Sequence, residues 1–96
     1  MRLVGRSHLD ALASEHPEVG EHLNAWEREV EKAQWRTPHD LKQRYPRASL
    51  LGDQQVIFDI MGNNYRIDTK ISYKNQVVIV AWAGTHAEYN RRFGIK

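Results

Sequence analysis

Three absences narrow the possibilities for this sequence of 96 residues. It contains no cysteine, which excludes disulfides and thiolate metal sites. No stretch approaches the roughly 20 apolar residues of a membrane span, and the N-terminus lacks the apolar segment of a signal peptide. Internal repeats, low-complexity segments and linkers are also absent. We therefore expect a soluble, cytoplasmic protein that makes no use of a membrane.

Histidine is present, but not at the spacing of a local zinc site. The histidines include no His-Glu-x-x-His pair, and there is no cysteine to act as a further ligand. We therefore predict neither a metal nor another cofactor. Four histidines fall in polar helical or cap regions, where exposure to solvent is the simplest interpretation: His8, His16, His22 and His39.

The length fits a single domain, residues 1–96, and a hydrophobic fraction of 41% allows a modest core. The net charge is only +2, but the charges are unevenly spread. Residues 1–39 carry five basic and seven acidic side chains, whereas residues 40–96 carry nine basic and five acidic ones. An anionic partner such as a nucleic acid is therefore expected on the second half of the chain.

The first half of the chain predicts helices after a short opening strand within Met1–Arg6. Ser7 is a suitable N-cap for a first short helix. The second helix, Glu18–Gln34, has the clearest pattern, because its apolar residues recur every three or four positions. A third short helix is predicted over Pro38–Arg44, since Thr37 is a good N-cap and proline suits the first helical position. The apolar stripe of the second helix consists of Val19, Leu23, Trp26, Val30 and Ala33.

From Ser49 onward the apolar period changes to two, which is typical of strands. Short turns join the segments Gln55–Ile60, Tyr65–Tyr73 and Gln76–Ala83, and this predicts an antiparallel meander. The last segment has apolar residues on both faces, which places it inside the sheet. The sequence therefore predicts an α+β fold: a small antiparallel sheet, made of the meander plus the N-terminal strand, with two main helices packed on one face.

The polar face of the Tyr65–Tyr73 strand carries Arg66, Asp68 and Lys70. Arg66 and Lys70 lie roughly 13 Å apart along the strand, and Asp68 lies between them. These side chains form either a solvated sheet face or a cationic strip that follows the phosphates of a nucleic acid.

The most apolar strand is followed directly by polar and charged side chains, which packing alone does not require. His86 is either a strand-end cap or a general acid or base, since imidazole titrates near neutral pH. Tyr89 either covers the core or, beside His86 and cations, stacks on a base or transfers a proton. Such a group of residues suits the cutting or gripping of a phosphodiester chain.

Two short motifs in the second half of the sequence, Gly-Asn-x-Tyr-Arg at 62–66 and Thr-His-x-Glu-Tyr at 85–89, are specific in combination. With them, nearly the whole chain resembles the HigB-type toxins of bacterial type II toxin–antitoxin systems, within the RelE-like superfamily of mRNA interferases. The resemblance implies a small sheet with two helices on one side. It also implies cleavage of mRNA, usually on the ribosome, and a cognate helix-turn-helix antitoxin of the HigA type. Its other marks are residues 2–4, 25–26, 35–38, 41–42, 45–46 and 56–60.

The resemblance further implies roles for individual residues. Metal-free cleavage needs a group that takes the proton of the 2′-OH, a cation near the phosphorus and a donor to the leaving 5′-oxygen. Arg66 is implied as the phosphate clamp, and His86 and Tyr89 as the acid–base pair in either order. Glu88, which orients His86 or faces solvent, and Asn64 are implied as supporting residues. The residues implied to grip flanking RNA or ribosomal RNA are Lys42, Arg44, Lys70, Arg91 and Arg92.

Two other functions are compatible with the same fold. One is a non-catalytic module that binds RNA or the ribosome without cutting the message. The other is a structural domain that binds a protein partner, for which the charged face of the Glu18–Gln34 helix is the supporting feature.

Overall fold

Helices dominate the first half of the fold and strands the second half. The computed structural model describes residues 1–52 and 54–94. A single 3-10 turn, Pro17–Val19, precedes the second helix. The elements are β1 (Arg2–Val4), α1 (Arg6–Glu15), α2 (Gly20–Lys32), α3 (Pro38–Arg44), β2 (Ser49–Leu51), β3 (Gln55–Ile60), β4 (Tyr65–Ser72), β5 (Val77–Thr85) and α4 (His86–Arg92).

The strands form one five-stranded sheet in the order β1-β5-β4-β3-β2. The predicted α+β class and the antiparallel meander of β3, β4 and β5 are confirmed, as is the position of β5 inside the sheet. The N-terminal strand differs from the prediction, because β1 pairs with β5 in parallel and makes the sheet mixed. A hairpin turn fixes an antiparallel pair, but β1 reaches its partner from the far end of the chain, so no turn sets its direction.

The inner face of the sheet, as we name it, is the face covered by α1 and α2. The predicted apolar stripe of α2 packs here, and Val19, Leu23 and Val30 are fully or almost fully buried. Trp26 meets the ring of Phe58 on β3 edge-on, with ring centroids 5.2 Å apart. The main hydrophobic core is therefore the single layer between these helices and the inner face.

The first helix starts earlier than predicted. Gly5, not Ser7, is the residue before the first turn, and no side chain caps this end. Gly5 has a φ of 92°, a left-handed conformation that favours glycine. A β-carbon at Gly5 would also collide with the backbone of Val80. The tight connection from β1 into α1 therefore depends on glycine, and the helix begins where that turn ends.

The opposite face, which we name the outer face, carries Arg66, Asp68 and Lys70 on β4. A bulge interrupts the β4–β5 pairing: Thr69 pairs with Val80, but Asp68 pairs with Trp82. Ala81 is thus an extra residue of β5, and the side chain of Trp82 joins Asp68 on the outer face. On the other side of the bulge the outer face of β5 is uncovered, with Ile79 43% exposed.

Candidate functional site

The last helix, α4, lies on the outer face and is fixed by its first turn. The Thr85 hydroxyl accepts from the backbone N–H of Glu88 at 3.1 Å, and the Glu88 carboxylate accepts from the N–H of Thr85 at 2.9 Å. This is a complete capping box. The hydrogen bond from Thr85 lowers the pKa of Glu88 below its ordinary value. Glu88 therefore holds the N-terminus of α4, a contact that the sequence analysis did not predict.

The aromatic ring of Tyr89 supports the guanidinium of Arg66. The Cζ atom of Arg66 lies 4.6 Å from the centre of the ring, and Tyr89 is only 5% exposed. Arg66 Nε lies 3.3 Å from Asp59 Oδ1, close enough for an ion pair although it is not aligned as a hydrogen bond. Arg66 is therefore held between an aromatic face and a carboxylate, which fixes its position.

Aromatic rings and a second arginine surround this pair. Trp82 and Phe93 both pack near Tyr89, with ring centroids 6.2 Å and 4.6 Å from it. The guanidinium of Arg92 lies 5.5 Å from the Trp82 ring. Tyr89 is absent from the main hydrophobic core. It is the centre of a separate outer-face cluster that combines aromatic rings with cations.

His86 is tied to the β3–β4 turn by two contacts. Its backbone N–H donates to the carbonyl of Asn64 at 2.9 Å, and its ring Nδ1 lies 3.0 Å from the carbonyl of Asn63. A carbonyl oxygen only accepts, so this contact assigns the ring proton to Nδ1. In the neutral ring Nε2 then carries the free lone pair, which is the form a general base requires.

The three residues predicted to be catalytic lie at one end of the sheet. Arg66 and Tyr89 are in contact, and His86 is three residues from Tyr89 on α4, so both lie on one side of that helix. The turn bonded to His86 leads directly into Tyr65 and Arg66. The supporting residue Asn64 contributes its backbone carbonyl. The contacts thus link Arg66 directly to Tyr89, and they link His86 to both through α4 and the β3–β4 turn.

The predicted RNA-gripping residues fall into two groups. Lys70 on β4 and Arg91 and Arg92 on α4 are exposed and belong to the outer-face elements. Lys42 instead donates to the backbone carbonyls of Pro46 and Ala48, at 2.6 Å and 2.7 Å. These hydrogen bonds tie α3 to the segment that follows it.

Arg44 lies with the helices. It forms an ion pair with Glu29 of α2, and its guanidinium also lies 4.8 Å from the ring of Tyr45. Burial, followed by the hydrogen bond that the hydroxyl donates to Glu29, raises the pKa of Tyr45 well above its usual range. These contacts give Arg44 a structural role in joining α3 to α2.

Sequence reasoning missed Asp59 and the role of Trp82. The sequence assigned no site role to Trp82, yet it lies beneath Arg92 on the outer face. Asp59 could have been found, because counting outward from the turn pairs Ile60 with Tyr65 and then Asp59 with Arg66. The position of Trp82 depends on the bulge, for which the sequence has no clear signal.

Another group of titratable residues, made of His16, Glu18 and Tyr65, lies beside the capping box. The Tyr65 hydroxyl donates to Glu18, and this bond is the main reason why the pKa of Glu18 is lowered and that of Tyr65 raised. The His16 ring lies 3.6 Å from Glu18 and edge-on to Tyr65. These contacts tie the 3-10 turn to the start of β4.

Within residues 1–52 and 54–94, no three His, Asp or Glu side chains come together as a metal site would require. In the same part of the chain, no helix combines the length and apolar character needed to cross a bilayer.

Comparison with known proteins identifies a family for this chain. No curated protein matches the chain. The model of one protein family, HigB_toxin, matches residues 19–92. The match spans more than half of the chain and includes Arg66, His86 and Tyr89, whereas β1 and α1 lie outside it. The chain therefore belongs to the HigB_toxin family, the RelE-like toxic component of a toxin–antitoxin system.

Proposed function

We propose that this toxin is an endoribonuclease that cleaves mRNA, on the ribosome, with the RNA bound on the outer face of the sheet. The observation that carries the proposal is the fixed guanidinium of Arg66, held over the Tyr89 ring at 4.6 Å and beside Asp59. A planar guanidinium makes two parallel hydrogen bonds to a phosphate. Lys70, Arg91 and Arg92 supply further positive charge on outer-face elements.

The proposed reaction uses the nucleophile that RNA itself carries. His86 Nε2 takes the proton of the 2′-OH, and the 2′-oxygen forms a bond to phosphorus. The P–O5′ bond breaks, the 5′-oxygen is protonated, and the products are a 2′,3′-cyclic phosphate and a 5′-OH. Arg66 stabilises the charge that develops on the non-bridging oxygens. No step in this scheme needs a metal.

Tyr89 has two separable contributions in the proposal. The face of its ring positions Arg66, and its hydroxyl is the candidate proton donor to the leaving 5′-oxygen. Tyr89→Phe removes the hydroxyl and keeps the ring, whereas Tyr89→Leu removes both. If the hydroxyl is the donor, the phenylalanine variant loses about 100-fold or more in cleavage rate. If only the ring matters, that variant retains nearly full activity and the leucine variant does not.

We also propose the partners and location that follow from this activity. The substrate is mRNA on the ribosome, so the toxin acts in the cytoplasm. A toxin of this kind needs an inhibitor, and a cognate HigA-type antitoxin with a helix-turn-helix is the proposed one. The contacts of Lys42 and Arg44 keep them outside our RNA surface, although their contact with RNA stays a prediction.

The test is cleavage of a translated message by purified wild-type protein, Arg66→Gln and His86→Gln. The cut sites are mapped, and the fragment ends are analysed for a 2′,3′-cyclic phosphate. We expect each variant to lose about 100-fold or more in rate, with thermal unfolding showing that both remain folded. The matched control is Arg28→Gln, an exposed arginine of α2 on the helical side, which should cleave normally.

The other two functions predict different results. A non-catalytic RNA-binding module would slow translation while the message stays intact. A structural partner domain would leave both the message and the ribosome unaffected. Full activity of both Arg66→Gln and His86→Gln would show that the reaction takes place elsewhere on the molecule.

A further inference from the structure

We propose that the outer face also contains a site for a single nucleobase, and that Asp68 selects guanine there. This inference rests on the proposed function, because it places the base beside the phosphate that Arg66 holds. The site is a groove of about 380 Å³ on the half of the outer face that contains Lys70. Its lining includes Gln55, Asp68, Lys70 and Ala81, together with Leu51, Gly52 and Gln54.

Asp68 is the most informative residue of this groove. It is only 6% exposed, although it lies on the charged face of the sheet. A carboxylate that is withdrawn from water needs hydrogen-bond donors. Gln55 supplies one, through a 3.0 Å bond from its Nε2 to Asp68 Oδ1. An ionised carboxylate accepts at about four positions, so the pair keeps acceptor capacity for a ligand in the groove.

Within residues 1–52 and 54–94, no ion pair with a cation explains the burial of Asp68. Among the residues that the structure describes, Arg66 pairs with Asp59 instead. The other ion pairs in that part of the chain also leave Asp68 out. Its hydrogen bond is to a neutral amide, so the carboxylate is held in place without being neutralised. A fixed acceptor in a groove is suited to reading the donors of a ligand.

The order of charges along β4 indicates that this ligand is a base and not a phosphate. Asp68 lies two residues from Arg66 and two residues from Lys70, roughly 6–7 Å along the strand from each. A carboxylate repels a phosphate, so the middle position is unsuitable for the RNA backbone. Along β4 a carboxylate lies between two cations. This order instead matches a bound single strand, in which a base lies between two phosphates.

The chemistry of the acceptor points to guanine. The Watson–Crick edge of guanine presents two adjacent donors, the N1–H and the N2 amino group, and both can donate to one carboxylate. Adenine and cytosine each offer one amino group beside an acceptor, and uracil offers one imino hydrogen beside two carbonyls. A second N–H of Gln55 is available for the guanine O6. Recognition by such a pair of hydrogen bonds typically favours the correct base by about tenfold or more.

The bulge in β5 makes room for a base at this position. Ala81, the extra residue, is exposed and lines the groove with only a methyl group. Bulges occur next to functional sites because they redirect side chains. Here the bulge directs Trp82 toward the α4 cluster and leaves the half near Lys70 open.

The test is equilibrium binding to short single-stranded RNAs in which every 2′-OH is methylated, so that cleavage is blocked. One central position carries guanine, inosine, adenine, cytosine or uracil within a uridine background, and binding is measured by fluorescence anisotropy. Wild-type protein should bind the guanine RNA about tenfold or more tightly than the uracil RNA. Inosine, which is guanine without the 2-amino group, should lose most of that gain.

Asp68→Asn replaces one acceptor oxygen by a donor of the same size. It should reduce the preference for guanine to within about twofold without weakening the binding of all-uridine RNA. The control Asp10→Asn removes the same charge from an exposed site on α1 and should keep the preference. Equal affinity of wild-type protein for guanine and inosine, or an unchanged preference in folded Asp68→Asn, overturns the proposal.

The inosine comparison uses only wild-type protein, so it stands even if Asp68→Asn fails to fold. The two proposals also fail in different ways. Guanine selection without any cleavage of natural RNA would refute the nuclease and keep the base site. Cleavage with no base preference would refute the base site and keep the nuclease.

Discussion

The two faces of the sheet are built for different purposes. The inner face is apolar and is covered by α1 and α2, whereas the outer face carries Arg66, Asp68 and Lys70 and is covered at one end by α4. Ile57 and Tyr89 are buried but do not belong to the main core. The helical side therefore provides most of the hydrophobic packing that stabilises the fold. The charged side chains of β4 lie on the other side of the sheet.

The cations show the same division. Lys42 and Arg44 have partners inside their own region: backbone carbonyls for Lys42 and a carboxylate of α2 for Arg44. Arg66 and Arg92 lie over aromatic rings of the outer cluster. Positive charge and its local partners therefore do not mark a binding residue by themselves, because Arg44 and Arg66 each meet a carboxylate and an aromatic ring. They differ in position, since Arg66 lies on the outer face and Arg44 lies among the helices.

The largest effect is expected for the inner face. Phe58→Ala should lower the free energy of unfolding by about 3–5 kcal/mol, because it leaves a cavity among Trp26, Trp35 and Tyr45. Urea unfolding followed by circular dichroism measures the change. Ile79→Thr on the outer face is the control and should stay within about 0.5 kcal/mol. Similar losses of unfolding free energy in both variants would show that both faces contribute equally to stability.

A smaller effect should separate two lysines by function. Lys42→Met removes two charge-assisted hydrogen bonds and should cost about 1–2 kcal/mol of stability with little change in RNA binding. Lys70→Met should leave stability almost unchanged but reduce the slope of log K against log salt by about 0.7 for single-stranded RNA. Unfolding curves and salt titrations of both proteins test this. The opposite outcome, with Lys42 controlling the salt slope, would move RNA to the α3 side.

The start of α4 should respond to acid. The pKa of Glu88 is lowered from its ordinary 4.5 by the Thr85 N–H, so the stabilisation is present above pH 4.5 and is lost as pH falls through the lowered value. Thr85→Ala should cost about 1 kcal/mol by removing the other half of the cap. Both changes can be followed by hydrogen exchange of the α4 amides and by Trp82 fluorescence. The measurements are made between about pH 3 and pH 6, the range in which carboxyl groups titrate.

A control is needed because the pKa of Glu18 is lowered in the same direction. Glu88→Gln should remove the acid-induced opening of α4, and Glu18→Gln should not. Acid opening that persists in Glu88→Gln would mean that the cap does not hold α4 on the sheet.

Local patterns were enough to predict most elements of the fold. The stripe of α2, the Thr37 cap of α3 and the alternation of β4 each depend on neighbours in sequence, and each is present in the structure. The parallel pairing of β1, the glycine turn at Gly5 and the bulge at Ala81 depend on contacts between distant segments. Periodicity carries no information about those contacts, so they were missed.

The candidate site shows the same limit. The family resemblance named Arg66, His86 and Tyr89, but no spacing could show that Arg66 would lie on the ring of Tyr89. Glu88 matched the motif equally well, yet its carboxylate is used by the helix cap. A motif identifies which residues matter, and the tertiary contacts decide what each of them does.

The smallest effect is expected at Arg44, and it sharpens the contrast between the two groups of cations. Its ion pair with Glu29 is largely exposed, and such pairs contribute about 0–1 kcal/mol. Arg44→Gln should therefore change stability by less than 1 kcal/mol and leave cleavage intact. Arg92→Gln should have an equally small effect on stability but weaken RNA binding, since Arg92 lies over Trp82. Paired unfolding and binding measurements compare the two arginines, and equal losses of RNA affinity would show that the RNA surface extends around the edge of the sheet to α3.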